Sequence, residues 1–252
     1  MHILNSIYRC AALSVLFFFI YVSLPAGAEA HSTHSLYGYS GVLTIPDACV
    51  TDRLLGFHVT YLPDHIAPYR RGVSDNHVYT ATLGFLPFAE CYFSVYDAVD
   101  TEWTGNYGSE KTRSPGVKIR LLSEKRLRPA LAVGFFDPDV RDLGGEFSWD
   151  TISSTFIVAS KSLLSDYATV TFGYGLESER FSGENSRLQG LFGGLVYRLN
   201  NHLSVMADND TEFWSAGLAA DLRGFSVTCA VTEGQAVSFR AGYSLILPGS
   251  GQ

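Results

Sequence analysis

The chain has 252 residues, 46% of them hydrophobic and 13% aromatic, and 18 basic against 25 acidic side chains leave it at −7. An acidic balance with scattered Lys and Arg argues against nucleic-acid binding, and four cysteines without motif spacing argue against a disulfide framework. No nucleophile elbow, metalloprotease helix or other catalytic signature is present, so no enzyme, catalytic residue, metal or cofactor is expected.

Residues 1–30 read as an export signal. Arg9 is the basic start, Ala11 to Leu24 form the apolar run, and small residues allow cleavage after Ala28 or Ala30. The run is short for a span of ~20 residues, and Pro25 follows it. No Cys comes directly after it, so a lipid anchor is not expected. Removal takes away Arg9 and Glu29 and leaves the balance unchanged, with Cys49, Cys91 and Cys229 remaining. Residues 31–54 precede any strand. His31 and His34 read as part of a flexible tail rather than a metal site. Gly38 and Gly41, with the apolar Val42, Leu43 and Ile45, predict a segment able to fold back as a lumen plug.

From 55 to 247 the pattern changes to short runs of period two. Twelve strands are expected, near 55–62, 76–85, 90–97, 115–123, 129–136, 152–161, 167–176, 188–198, 202–209, 212–221, 224–232 and 235–247. Val170, Phe172 and Tyr174 alternate with Thr169, Thr171 and Gly173. Phe225, Val227, Cys229 and Val231 alternate with Ser226, Thr228, Ala230 and Thr232. Val237, Phe239, Ala241 and Tyr243 alternate with Ser238, Arg240, Gly242 and Ser244. One face is large and apolar, the other small and polar. A soluble sandwich would bury the apolar face, whereas a membrane barrel turns it to lipid.

The connections favour the barrel. Segments 63–75, 98–114, 137–151 and 177–187 are long and polar, and 86–89, 124–128, 162–166 and 199–201 are tight, which is the loop asymmetry of an up-and-down outer-membrane barrel. Trp103, Trp149 and Trp214 fall on the long-loop side, in keeping with an interfacial girdle. The end of the chain, Arg240-Ala-Gly242-Tyr-Ser-Leu245-Ile-Leu247, resembles the C-terminal signal by which bacterial outer-membrane barrels reach their assembly machinery. It departs from that signal in its aliphatic end residues and in the tail 248–252. By parity Lys118, Arg120, Lys161, Arg198 and Arg240 point into the lumen, with Asp208 and Asp221. They are read as interior ion pairs, or as a cluster contacting an anionic polymer.

Three stretches carry a family likeness. Gly38-Tyr-Ser-Gly41-Val-Leu-Thr-Ile45-Pro46-Asp-Ala48 resembles the opening of YjbH-like exopolysaccharide proteins. Leu83-Gly-Phe-Leu-Pro87-Phe-Ala-Glu90 is similar to that family's second-hairpin turn. Lys118-Ile-Arg120-Leu-Leu, Glu124, Pro129-Ala-Leu-Ala-Val-Gly134 and Val158-Ala-Ser-Lys161 follow in the family's order. The resemblance implies an outer-membrane barrel linked to production or export of extracellular polysaccharide. It implies no catalytic residues, and it marks Gly38, Gly41, Pro46, Pro87, Glu90, Glu124, Pro129 and Gly134 as architectural. Many members of that family are longer. Expected partners are outer-membrane lipid, the barrel assembly machinery, extracellular polysaccharide and other export proteins. The competing readings are a small-solute channel, an outer-membrane enzyme acting on lipid or glycan, and a soluble periplasmic barrel.

Overall fold

A computed structural model describes residues 33–69, 71–99, 110–136, 154–164, 167–176 and 188–248. The expected signal peptide, His31, Trp103, Trp149, the tail after Pro248 and most of three long loops lie outside the described residues. Within them the chain forms one closed antiparallel barrel. Its strands are β1 (Leu54–Leu62), β2 (Asn76–Leu86), β3 (Ala89–Ala98), β4 (Glu110–Leu122), β5 (Ala130–Phe136), β6 (Ser154–Leu163), β7 (Ala168–Gly175), β8 (Gly190–Arg198), β9 (Leu203–Asn209), β10 (Trp214–Leu222), β11 (Phe225–Thr232) and β12 (Ala236–Ile246). Every strand pairs with its sequence neighbours, and β1 closes on β12 from Leu54 against Ile246 to Tyr61 against Phe239. Closure leaves no free edge, which lets a sheet cross a hydrocarbon layer with its backbone polar groups paired.

The start of β4 departs from the pattern. Pro115 reads as a first strand position, yet the strand begins at Glu110. Residues 110–115 pair with β3, while pairing with β5 reaches only to Gly116 against Phe136. Pro115 therefore stands beyond the last described pairing with β5, near the end of that ladder, where a missing N–H does least harm.

The outer surface decides the environment. Phe57, Phe93, Phe172, Leu191, Leu218 and Phe225, on six different strands, are 46–78% exposed. Soluble monomers rarely expose a contiguous apolar patch beyond a few hundred Å², and acyl chains are the solvent that such a band fits. Tyr243 is also exposed, whereas Thr171 and Arg240 are buried. The large apolar side of each strand thus faces lipid, and the molecule is a transmembrane barrel.

The inner face is not uniformly small and polar as the alternation implies. Strands β9 to β12 and β1 to β2 do present Ser and Thr inward, such as Thr60, Thr80, Ser204, Ser215 and Thr228. Strands β3 to β8 add Tyr92, Tyr96, Phe136, Phe156, Val158 and Phe192 to inward Ser94, Ser114, Ser160 and Thr171, all buried. These rings need an apolar partner, and residues 36–48 supply it: Leu36, Tyr39, Val42, Leu43 and Ile45 join them in one core inside the barrel. Glycines make room for the rings. A Cβ on Gly116 or Gly134 would lie 2.0 Å from the Tyr92 ring or 2.2 Å from the Phe156 ring.

Candidate functional site: a segment tethered inside the barrel

The segment 33–51 runs through the lumen as an irregular hairpin. Isolated bridges pair His34 with Ser40 and Gly41 with Pro46. Leu36 N–H donates to Leu43 carbonyl at 2.7 Å, and Val42 N–H to Ile45 carbonyl at 3.0 Å. At Gly41 a Cβ would fall 2.2 Å from the Ile45 carbonyl oxygen, so the two legs close only over a glycine. Gly38 has φ +86°, a conformation L residues rarely adopt. Inward hydroxyls take up the backbone carbonyls of this leg. Thr60 donates to Leu36, Thr80 to Tyr37 and Thr82 to Gly38, at 2.6, 2.9 and 2.7 Å.

The strongest tether sits near the short-turn end. Glu90 and Lys118 face each other in register on β3 and β4, with Nζ to Oε1 at 3.1 Å and both side chains buried. One Glu90 oxygen accepts from Ser40 N–H at 3.2 Å, and the other accepts from Thr51 N–H at 2.9 Å. The Ser40 and Thr51 hydroxyls lie within 3.2 Å of the same carboxylate. Lys118 donates to Ser40 carbonyl at 2.8 Å and to its hydroxyl, and pairs with Asp47 at 3.3 Å. A single carboxylate thereby holds the segment at Ser40 and Thr51, and the lysine holds it at Ser40 and Asp47. Burial raises the Asp47 carboxyl above its usual range, against the pull of Lys118. Flanking glycines complete the row: Gly84 and Gly134 neighbour Glu90 and Lys118, and a Cβ on Gly84 would meet the Thr51 carbonyl oxygen at 1.9 Å.

A second tether holds the tip. Asp208 on β9 accepts from the successive N–H groups of Leu43, Thr44 and Ile45 at 2.9, 2.6 and 3.2 Å. Three consecutive amides around one anion form a nest, a geometry in which backbone partial charges concentrate on a carboxylate. Ser160 on β6 accepts from Ala48 N–H at 2.9 Å. A third contact lies at mid-barrel. His34 and His58 rings are 4.6 Å apart, and Arg240 reaches His58 at 2.9 Å and Thr228 at 3.0 Å. Burial, then the Arg240 charge, pushes the His34 imidazole down to about 3, so it is neutral at physiological pH. His34 is thus a packed interior residue and not part of a flexible tail.

The five expected lumen cations do not form one cluster. Lys118 and Arg240 point inward but sit in separate networks. Arg120 and Arg198 keep the inward parity and end half-buried at the rim. Arg120 donates to Pro87 carbonyl. Lys161 is corrected: Phe156, Val158 and Ser160 are the buried residues of β6, so Lys161 falls on the outward parity. There it binds Glu124 of the β4–β5 turn at 2.6 Å, and Glu124 also accepts from Ser162 at 3.0 Å. Asp208 and Asp221 keep inward parity. Of the motif positions, Gly38, Gly41 and Pro46 shape the hairpin, Pro87 and Pro129 border turns, and Glu90 carries the main tether. Ser40, Asp47 and Thr51 escape a reading by parity because they lie outside any strand. Their signal is that they are polar residues set in an apolar stretch, Ser40 and Asp47 within the family-like run 38–48.

Chemically this arrangement holds rather than reacts. The Ser40 hydroxyl does meet an amine, but Lys118 is paired with two carboxylates and the group is sealed from solvent. The cleft beside it, between Tyr37, Tyr39, Tyr92, Tyr96 and Phe136, offers about 20 Å³, room for about one water. Over the long-loop mouth, the β1–β2 connection reaches across to the β9–β10 turn. Arg71 pairs with Glu212 at 2.8 Å and lies 5.3 Å from the Phe213 ring centre.

The hairpin motif, the Glu90 turn and the β4–β6 run all fall inside residues 33–192, which match the family described as exopolysaccharide biosynthesis protein YbjH. The chain belongs to the YjbH family. Among solved structures it is similar to a chain titled KdgM porin, at 9% identity and a TM-score of 0.46, over 76% of this chain and 97% of that one. No curated protein matches it.

Proposed function

We propose that this YjbH-family protein is a plugged, non-enzymatic outer-membrane barrel that assists exopolysaccharide production or export as an accessory or scaffold and not as an open conduit. The observation carrying this reading is the segment 33–51, fastened to inward groups on β3, β4, β6 and β9. A polymer passing through would have to displace it. Inward residues such as Thr82, Phe156, Met206, Thr228 and Ser238 are at most 3% exposed, whereas a water-filled pore leaves its lining wet. The family description supplies the link to exopolysaccharide. Outer-membrane lipid, the assembly machinery, the polymer and other export proteins are the partners of this reading.

Planar-bilayer recording of the reconstituted chain tests the closed state, with silence expected. Steady single-channel steps from the native protein would instead establish the small-solute channel. Exopolysaccharide output from a strain lacking the protein, with and without complementation, tests the biological role. Unchanged output on deletion would end that part of the proposal.

A further inference from the structure

Among the described residues the two ends of the barrel carry opposite charge. At the long-loop end the described acidic residues include Asp64, Asp75, Asp97, Asp210, Glu212 and Glu233, against Arg71, Lys111 and Arg113. The short-turn end, where β1 starts and β12 finishes, is basic although the whole chain is at −7. Its β4–β5 turn reads Lys125-Arg126-Leu127-Arg128, all four exposed. Arg53 before β1 and Arg223 in the β10–β11 turn are exposed on the same rim, with Arg120 and Arg198 half-buried beside them. The described acidic groups there are Asp52, Asp221 and Glu124, with the buried Glu90 and Asp47 behind them; Glu124 is taken by Lys161, and Glu90 and Asp47 by Lys118. Asp166 lies outside the described residues.

The turn has a defined shape. Lys125 N–H donates to Arg128 carbonyl at 2.9 Å and Arg128 N–H to Lys125 carbonyl at 3.2 Å, which puts Arg126 and Leu127 at the tip. Leu127 is 93% exposed. An apolar tip between three cations has no use for water alone. Neighbouring rim positions repeat the combination: Leu121, Leu164, Leu199 and Ile246 are 52–71% exposed among the basic residues. Apolar side chains that enter the acyl boundary, with Lys and Arg reaching the headgroups, are the pattern of an interfacial contact.

We infer that the short-turn rim, with Lys125-Arg126-Leu127-Arg128 as its centre, is a docking surface for the anionic phospholipid headgroups of the leaflet around it. Tight turns belong to the periplasmic side, so this is the inner leaflet of the outer membrane. The phosphates neutralise the rim, Leu127 enters the acyl boundary, and the contact fixes the depth of the barrel. The inference rests on the transmembrane reading and is independent of the role in exopolysaccharide production.

The test uses the full chain reconstituted in an equal mixture of phosphatidylcholine and phosphatidylglycerol. Spin-labelled versions of each lipid report which one the barrel retains. Native protein should prefer phosphatidylglycerol, with the preference falling about fivefold for each basic residue removed in the series R126A, R126A/R128A and K125A/R126A/R128A. K111A/R113A at the opposite end should keep it. L127S, with its charges intact, should reduce retention of both lipids. Each variant is first checked for folding by its heat-dependent gel mobility, and R126K keeps the charge should a neutral variant fail to fold. Equal retention of the two lipids by native protein, or a preference unmoved by the turn series, overturns the inference. Binding of soluble polyglutamate through the same turn, without lipid selectivity, also overturns it and gives the rim to an acidic soluble partner. Failure of the native chain to float with the vesicles would refute the transmembrane reading itself, a different outcome from loss of selectivity.

Discussion

Replacing Glu90 by Ala removes one carboxylate and disturbs five groups. Lys118 keeps only Asp47 as a counter-charge, and the Ser40 and Thr51 amides lose their acceptor. Removing one member of a buried pair costs about 3–5 kcal/mol, because the other charge stays buried. The penalty falls on the docked hairpin, since the strands keep their backbone ladders. At about 1.4 kcal/mol per factor of ten, residues 40–51 should undock ~10²–10⁴ times more often. Hydrogen exchange on the protein in nanodiscs reads this directly as lost protection over 40–51, with β3 and β4 amides unchanged. A triple change, D47N/E90Q/K118M, removes all three charges of the network and should recover much of the protection, since replacing a whole buried ionic set by neutral groups is often near neutral. If E90A leaves the hairpin as protected as in the native chain, the tether is not what holds it. If strand amides exchange equally fast, the site stabilises the barrel and not the segment.

Four further outcomes are expected. Asp208→Ala strips the acceptor from three amides, at ~1–3 kcal/mol for each group left unpaired, so limited proteolysis should cut near residues 43–45 while cutting near Thr51 stays slow. Gly175→Ala places a Cβ 1.1 Å from the Leu188 carbonyl oxygen; backbone must move, and the heat-dependent gel shift should occur at lower temperature. Leu218→Arg sets a cation on the lipid face of β10 and should cost ~2–4 kcal/mol in bilayer unfolding measurements, whereas Leu218→Met should cost little. His34 is held low by burial and by Arg240, so the undocked segment binds a proton more readily than the docked one. The His34 contribution to docking should therefore weaken as pH falls from about 6.5 toward 3. Protection factors over 34–39 measured across that range should show the slope, and His34→Gln should flatten it.

Sequence alone determined the strands and most of their facing. Period two in β7, β11 and β12, with large apolar residues opposite Gly, Ser and Thr, leaves one arrangement once the loops alternate long and short. It failed at β6, where Phe156 and Val158 oppose Ile157 and Ala159. Both sides are apolar there because one meets lipid and the other meets the interior hairpin, so the pattern points Lys161 inward where the structure has it outward. Gly38, Gly41, Val42, Leu43 and Ile45 showed that the N-terminal segment could fold inward. Its path belongs to the tertiary structure. Asp208 is 164 residues from Thr44, and Glu90 meets Thr51 across 39 and Ser40 across 50. No local pattern encodes such pairings, because they exist only once barrel closure sets the inward groups of β3, β4 and β9 around the same hairpin.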